Sequence, residues 1–213
     1  MKVINIAKTV TFITAMATMP LCAKAYNNST RILTQEEKVD TFKSSITPQG
    51  TLDKAFLAKA PSPDITIAGE KKKAGIIVDL KKNILYRYDE IGNVKNAYLI
   101  ASGAPWSKTD TGVRIVSHIE TSPYRNAPAG SKRRRAPKDY GPKILILNIL
   151  DPKTGKQSYT GEFIHGCRSY HDTFIKTKDR RVSHGCMRMD NGVILTLSKE
   201  VKPGEIVIID YFD

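Results

Sequence analysis

The chain has 213 residues, with 34 Lys and Arg against 21 Asp and Glu and a formal charge of +13. A surplus of that size bears on partners rather than fold, and favours an anionic surrounding such as cell-wall polymer, membrane surface or nucleic acid. The length suffices for one well-buried domain but not two generous ones, and beyond the N-terminus no run reaches the roughly 18 apolar residues of a membrane-spanning helix.

In chain order, Lys2 and Lys8 precede an uncharged stretch, Val10 to Cys22, that ends in Ala23-Lys24-Ala25. That is the anatomy of a cleavable secretory signal over residues 1–25. Leu21 stands before Cys22 where a lipobox wants a small side chain, so plain cleavage after Ala25 is the expectation. Cleavage removes Lys2, Lys8 and Lys24 and no acid, which lowers the formal charge from +13 to +10. The expected product is a secreted or periplasmic protein that does not span the membrane, and export argues against nucleic acid as its anionic partner.

Residues 26–73 are polar and lack a sustained apolar period, with short helices expected at 34–44 and 51–59. Ala60-Pro61-Ser62-Pro63 then interrupts the segment, because each proline removes a donor and biases its predecessor toward extended backbone. It reads as an N-terminal extension with a linker. From Ala74 the pattern turns to short β-rich runs, at 75–80, 84–88 and 94–100, with a hairpin connection at 89–93. Further strands are expected at 113–119, 143–149 and 161–165. The stretch 120–142 carries prolines and the cluster Lys132-Arg133-Arg134-Arg135 with Lys138, and reads as a surface excursion, either a solvated loop or one that meets an anionic envelope surface. Trp106, Tyr124 and Tyr140 lie in or beside loops and are read as packing anchors.

Val193, Ile194, Leu197 and Val201 fall at helical spacing, with Asp190 or Asn191 placed to cap the helix. Pro203-Gly204 turns that helix into a last strand at 205–210. Many strands at short intervals with one late helix give a mainly β fold class, a sandwich or barrel-like domain over 74–213 with the helix before the final strand.

Chemistry concentrates in Ser183-His184-Gly185-Cys186-Met187-Arg188-Met189. A cysteine attacks as thiolate, and cationic groups, imidazoles or a helix N-terminus nearby lower its pKa. Gly185 lets the backbone approach a substrate, so amides around Cys186 are candidates to face a developing oxyanion. Upstream, His165-Gly166 ends an expected strand with an imidazole and a flexible residue, a sensible position for a general base. Two other readings of the cysteines stay open. Cys167 and Cys186, the pair left after cleavage, form a disulfide in the ordinary reading for an oxidising compartment. The repeated His165-x-Cys167 and His184-x-Cys186 also supply two nitrogens and two sulfurs to a conceivable zinc ion.

Together, Ile164-His165-Gly166 and the segment 183–189 resemble the signature of the L,D-transpeptidase (YkuD-type) catalytic domain. The likeness extends to Lys108-Thr109-Asp110-Thr111-Gly112, where the family usually reads Thr-Pro-x-Gly, and covers roughly 74–213. Residue by residue, it implies Cys186 as nucleophile, His165 as base, Ser183, His184, Gly185 and Gly166 as groups that shape the site, and Arg188 as orienter of a substrate carboxylate or of the loop. It implies no cofactor and no metal, peptidoglycan stem peptides as substrate, an amine of another stem, water or an envelope protein as acceptor, and acylation by carbapenems. The chain departs from the family at Asp110, at Cys167 where threonine is common, and in the long separation of the two motifs. A thiol two residues from the base also raises reversible pairing of Cys167 with Cys186 as a redox switch. A basic, non-catalytic envelope-binding protein is the alternative of a different class.

Overall fold

The computed structural model describes residues 59–121, 137–168 and 179–213. The expected signal segment, both expected N-terminal helices, the cluster 132–135 with the Lys138 side chain, Tyr124 and most of the loop between the two motifs lie outside the described residues.

The elements run β1 (Asp64–Ile67), β2 (Glu70–Lys73), β3 (Ile76–Asp79), β4 (Ile84–Tyr88), β5 (Val94–Leu99), β6 (Ser102–Gly103), β7 (Gly112–Thr121) and a short α1 (Pro137–Tyr140). Then follow β8 (Lys143–Leu150), β9 (Gln157–His165), β10 (Arg181–Ser183), β11 (Met187–Arg188), α2 (Asn191–Glu200) and β12 (Ile206–Asp210). The fold is mainly β. Eight strands form one mixed sheet in the order β11-β9-β8-β7-β12-β3-β4-β5. The sheet curls until its edges meet. Ala101, just past β5, exchanges two backbone hydrogen bonds of 2.9 and 2.7 Å with Arg188 of β11.

Both faces of this sheet are buried at β3 and β4, which is why these strands show no apolar–polar alternation and are apolar apart from Asp79 and Arg87. One face carries Ile76, Val78, Leu85, Leu145, Leu147, Ile164 and Val207 and is covered by Val193, Ile194 and Leu197 of α2. Each such side chain contributes about 1.5–3 kcal/mol on burial. Asp190 caps α2, its carboxylate accepting from Gly192 N and Val193 N at 2.8 and 3.3 Å. The other face, with Ile77, Ile84, Tyr86 and Ile206, is covered by the β1–β2 hairpin through Ile67 and by Phe212.

That hairpin lies in the segment read from sequence as linker. Its turn, Ala68-Gly69, has φ of 50° and 85°, the double left-handed geometry of a two-residue β-hairpin loop. It escaped notice because all four residues of β2 are exposed and charged, which leaves no alternation to read. The two-residue strands β6 and β11 and the three-residue β10 were missed for lack of length.

Candidate active site

His165 is the last residue of β9 and is 2% exposed. Between the pairs Ile146↔Phe163 and Asn148↔Tyr159 the β8–β9 ladder carries two extra residues on β9, where Gly161 takes a φ of 79°. Such a bulge re-aims the strand end. The Nδ1 of His165 sits 2.5 Å from the carbonyl oxygen of Gly166. A carbonyl only accepts, so the proton of the neutral ring resides on Nδ1 and the lone pair on Nε2. Tyr140, at the end of α1, lays its ring against the imidazole at 4.8 Å between centroids.

Cys186 immediately precedes β11, which pairs in parallel with β9, Met187 opposite Ile164 and Arg188 opposite His165. Strand alternation then sends Cys186 and Arg188 to the face that carries Phe163 and His165. The packing agrees: Cys186 and Tyr140 both lie against the cluster of Ile144, Ile146 and Phe163, whereas Met187 joins the opposite core. The loop before it is held by its own side chains. Ser183 Oγ donates to the Cys186 carbonyl at 2.5 Å and accepts from Gly185 N at 3.1 Å. Gly185 has a φ of 108°, a conformation that glycine alone adopts without strain.

The segment 108–112 lies against this loop. Thr109, buried, donates from Oγ1 to the Gly185 carbonyl at 2.7 Å and accepts from Gly103 N at 2.9 Å. Next to it, Asp110 N donates to Glu162 Oε1 at 3.0 Å, and Arg114 Nε donates to Glu162 Oε2 at 2.8 Å.

With this arrangement in view, the comparisons with known proteins decide the family. The L,D-transpeptidase catalytic-domain model matches residues 73–209. The chain belongs to that family. Among solved structures it is similar to a mutant L,D-transpeptidase of Enterococcus faecium, with 21% identity, 64% of this chain and 49% of that one covered and a TM-score of 0.42. A Bdellovibrio bacteriovorus protein gives 20% identity, 70% and 51% coverage and a TM-score of 0.46. An L,D-transpeptidase of Stackebrandtia nassauensis gives 19%, 72% and 62%, with a TM-score of 0.45. This chain spans about half the length of the first two. No curated protein matches it significantly.

The family's motif residues are not all placed alike. His165, Cys186 and Arg188 share one face, whereas the His184 side chain is exposed. Arg188 is half-buried, and among the described residues its Nε has no hydrogen-bond partner although it is shielded from solvent. Gly166 serves by its lack of a side chain: a Cβ there would lie 2.3 Å from Asn191 Oδ1 and 2.9 Å from the Gly141 Cα. Cys167 and Cys186 are two thiols in separate packing clusters, Cys167 with Leu99, Ala101 and Val182. The backbone N–H of Cys167 donates to Asn191 Oδ1 at 3.1 Å. Among the described residues no group of three or more His, Cys, Asp or Glu is placed to hold a metal ion, and no helix is long and apolar enough to cross a membrane.

At the family's usual proline, Asp110 keeps an N–H that Glu162 uses, a bond proline could not make. Sequence reasoning assigned Tyr140 to packing alone, and the structure lays it on the His165 imidazole as well. It gave Thr109 and Asn191 no role in the site. Trp106 is not an anchor: it is 79% exposed on a turn closed by Ser107 N to Ala104 O. A groove of about 810 Å³ also exists, at the C-terminal end of α2, lined by Arg87, Lys95, Glu200, Lys202 and Glu205 among others. It lies away from His165 and Cys167, since α2 is about 15 Å long and its other end is the one at Gly166 and Cys167.

Proposed function

We propose that the protein is an exported peptidoglycan L,D-transpeptidase with Cys186 as nucleophile and His165 as base. The observation that carries the reading is the bond from His165 Nδ1 to the Gly166 carbonyl. It commits the Nδ1 proton and leaves Nε2 as the basic nitrogen, in a ring that lies tilted against a Tyr140 that packs in the same cluster as Cys186. Nε2 takes the thiol proton, and the Cys186 thiolate attacks the carbonyl between the L-centre of the stem's diamino acid and its terminal D-alanine. As the C–N bond breaks, His165 returns the proton to the departing D-alanine amine and a thioester remains. An amine of a second stem then attacks the thioester, His165 accepts its proton, and the departing thiolate takes that proton back from His165, which restores the starting thiol and neutral imidazole.

Water in place of the amine makes the same site an L,D-carboxypeptidase, and an amine of an envelope protein makes it an anchoring enzyme. The half-buried face around Tyr140 and Phe163 favours an organic amine over water. The partly buried Arg188 guanidinium, in register with His165, suits a stem carboxylate, since its planar fork pairs with one bidentately. The segment 1–25 and the basic surplus fit work at an anionic cell envelope.

Incubation with disaccharide-tetrapeptides, followed by mass analysis, tests the reading. Dimers lacking one D-alanine are the expected product, and tripeptide monomers alone would make the enzyme a carboxypeptidase. A carbapenem should add once, at Cys186, in intact-mass spectra. Absence of both products and adduct would remove the enzymatic reading in favour of an envelope-binding protein.

A further inference from the structure

The Gly185–Cys186 peptide bond lies between the nucleophile and the segment 108–112, and its carbonyl is held by a residue that the reaction scheme does not use. Thr109 Oγ1 accepts from Gly103 N at 2.9 Å, so its single proton is directed to the Gly185 carbonyl, 2.7 Å away. The hydroxyl is shielded from solvent, Thr109 being 4% exposed. Its own support is rigid. A Cβ on Gly103 would lie 2.3 Å from the Ser107 carbonyl oxygen and 2.4 Å from Thr109 N, so the chain folds tightly back on itself there. Ala104 N also donates to the Ser183 carbonyl at 2.8 Å, which fastens the same segment to the nucleophile loop a second time.

A trans peptide is planar, with its C=O and N–H pointing in opposite directions. Fixing the Gly185 carbonyl toward Thr109 therefore fixes the Cys186 N–H away from it. Gly185 is where such a constraint is needed, because a glycine at φ of 108° has neighbouring conformations open to it that no side chain blocks. Ser183 holds the other two groups of the loop, Gly185 N and the Cys186 carbonyl, and leaves the orientation of this one peptide to Thr109.

We infer that Thr109 is a positioning residue: by clamping the Gly185 carbonyl it aims the Cys186 N–H at the oxyanion that forms when the thiolate adds to a carbonyl. This rests on the proposed nucleophile. It separates two reactions of the same sulfur. Acylation passes through an oxyanion and needs the aimed N–H, whereas alkylation by iodoacetamide displaces iodide from carbon and needs only the thiolate. Loss of one preorganised donor typically slows acyl transfer about 10²-fold or more.

The test compares wild type with Thr109→Val, which keeps the shape and deletes the hydroxyl, and with Thr109→Ser, which restores it. Acylation of Cys186 by a carbapenem is timed by intact mass, alkylation by iodoacetamide is followed from pH 5 to 10, and circular dichroism verifies folding. The expected result is acylation slowed about 10²-fold in Thr109→Val, with an unchanged rate and pH midpoint of alkylation and with acylation largely restored in Thr109→Ser. Wild-type acylation by Thr109→Val would overturn the inference, and so would a parallel loss of alkylation, which would make Thr109 merely structural. Should Thr109→Val not fold, Thr109→Ala is held to the same two criteria, and failure of both to fold would likewise assign the hydroxyl to stability. If wild type is alkylated but never acylated at Cys186, it is the transpeptidase reading that falls.

Discussion

The imidazole of His165 has its Nδ1 committed to the Gly166 carbonyl, and the proposed mechanism makes Nε2 the proton acceptor, a role that no other polar side chain placed there would fill. His165→Ala is expected to lower turnover 10²–10⁴-fold, the usual cost of removing a positioned base, and Cys186→Ala to abolish it while leaving the fold intact by circular dichroism. Wild-type turnover by His165→Ala would move the base elsewhere, with His184 next in line. These two residues stand out in the sequence because each sits in a short contiguous motif, and the structure places both on one face of the sheet. Thr109 and Asn191 were not, since each matters only through partners far along the chain, 76 positions away for Gly185 and 24 for Cys167. Asp110 is the inverse case: its departure from the family is visible in sequence, but its compensation by Glu162 appears only in the fold. Asp110→Pro deletes that donor and leaves the carboxylate with Arg114 alone, and should cost about 1–3 kcal/mol in urea unfolding while activity survives. Unchanged stability would mean that the Asp110 bond contributes nothing.

Among elements, the site is a junction where α1, the end of β9 and the start of α2 meet around two glycines. A Cβ on Gly141 or on Gly166 would fall 2.4 or 2.3 Å from the same Asn191 Oδ1, and each also approaches the other glycine's backbone. Gly166→Ala is therefore expected to push α2 from β9, costing about 1–3 kcal/mol as an overpacked contact and reducing turnover, because the carbonyl that fixes the His165 tautomer belongs to Gly166. A melting temperature and rate equal to wild type would show that the junction gives way freely. Strand positions were legible wherever an apolar run was long, as in β8, and α2 was announced by its spacing and cap. The turn between β8 and β9 offers a pH test. Hydrogen bonds from the Thr154 hydroxyl and the Lys153 amide hold the Asp151 carboxyl below its ordinary 3.8. A carboxyl with a depressed folded value lends stability that is complete above its unfolded value and is lost as the pH falls through the folded one. Asp151→Asn should thus lower the melting temperature at neutral pH and flatten its decline below about pH 4. An acid limb identical to wild type would place the titration elsewhere.

For the molecule as a whole, the question is where the fold begins, and family likeness and packing give different answers. The family match starts at residue 73 and the β-rich pattern at Ala74, yet the sheet face formed by Ile77, Ile84 and Tyr86 is covered by Ile67 from β1, with Ala60 and Ile65 against the same cluster. The chain before the hairpin is fastened too. The Tyr88 hydroxyl donates to the Pro61 carbonyl at 2.5 Å, and Ala74 N donates to the Pro63 carbonyl at 2.8 Å. Burial of Tyr88 pushes its phenol far above its ordinary value, so it remains a neutral donor at any working pH. Removing residues 59–73 would take away Ile67 and uncover the sheet face of Ile77, Ile84 and Tyr86, a loss of about 1.5–3 kcal/mol for the Ile67 burial alone, and leave a buried hydroxyl and an amide without partners at about 1–3 kcal/mol each. For a chain of this size each kcal/mol shifts the melting temperature by about 2–4 °C. A protein starting at Ala74 is therefore expected to melt about 10 °C or more below one starting at Lys59, with exposed apolar surface that binds a hydrophobic dye. Equal melting temperatures would return residues 59–73 to the role of linker that their composition suggests.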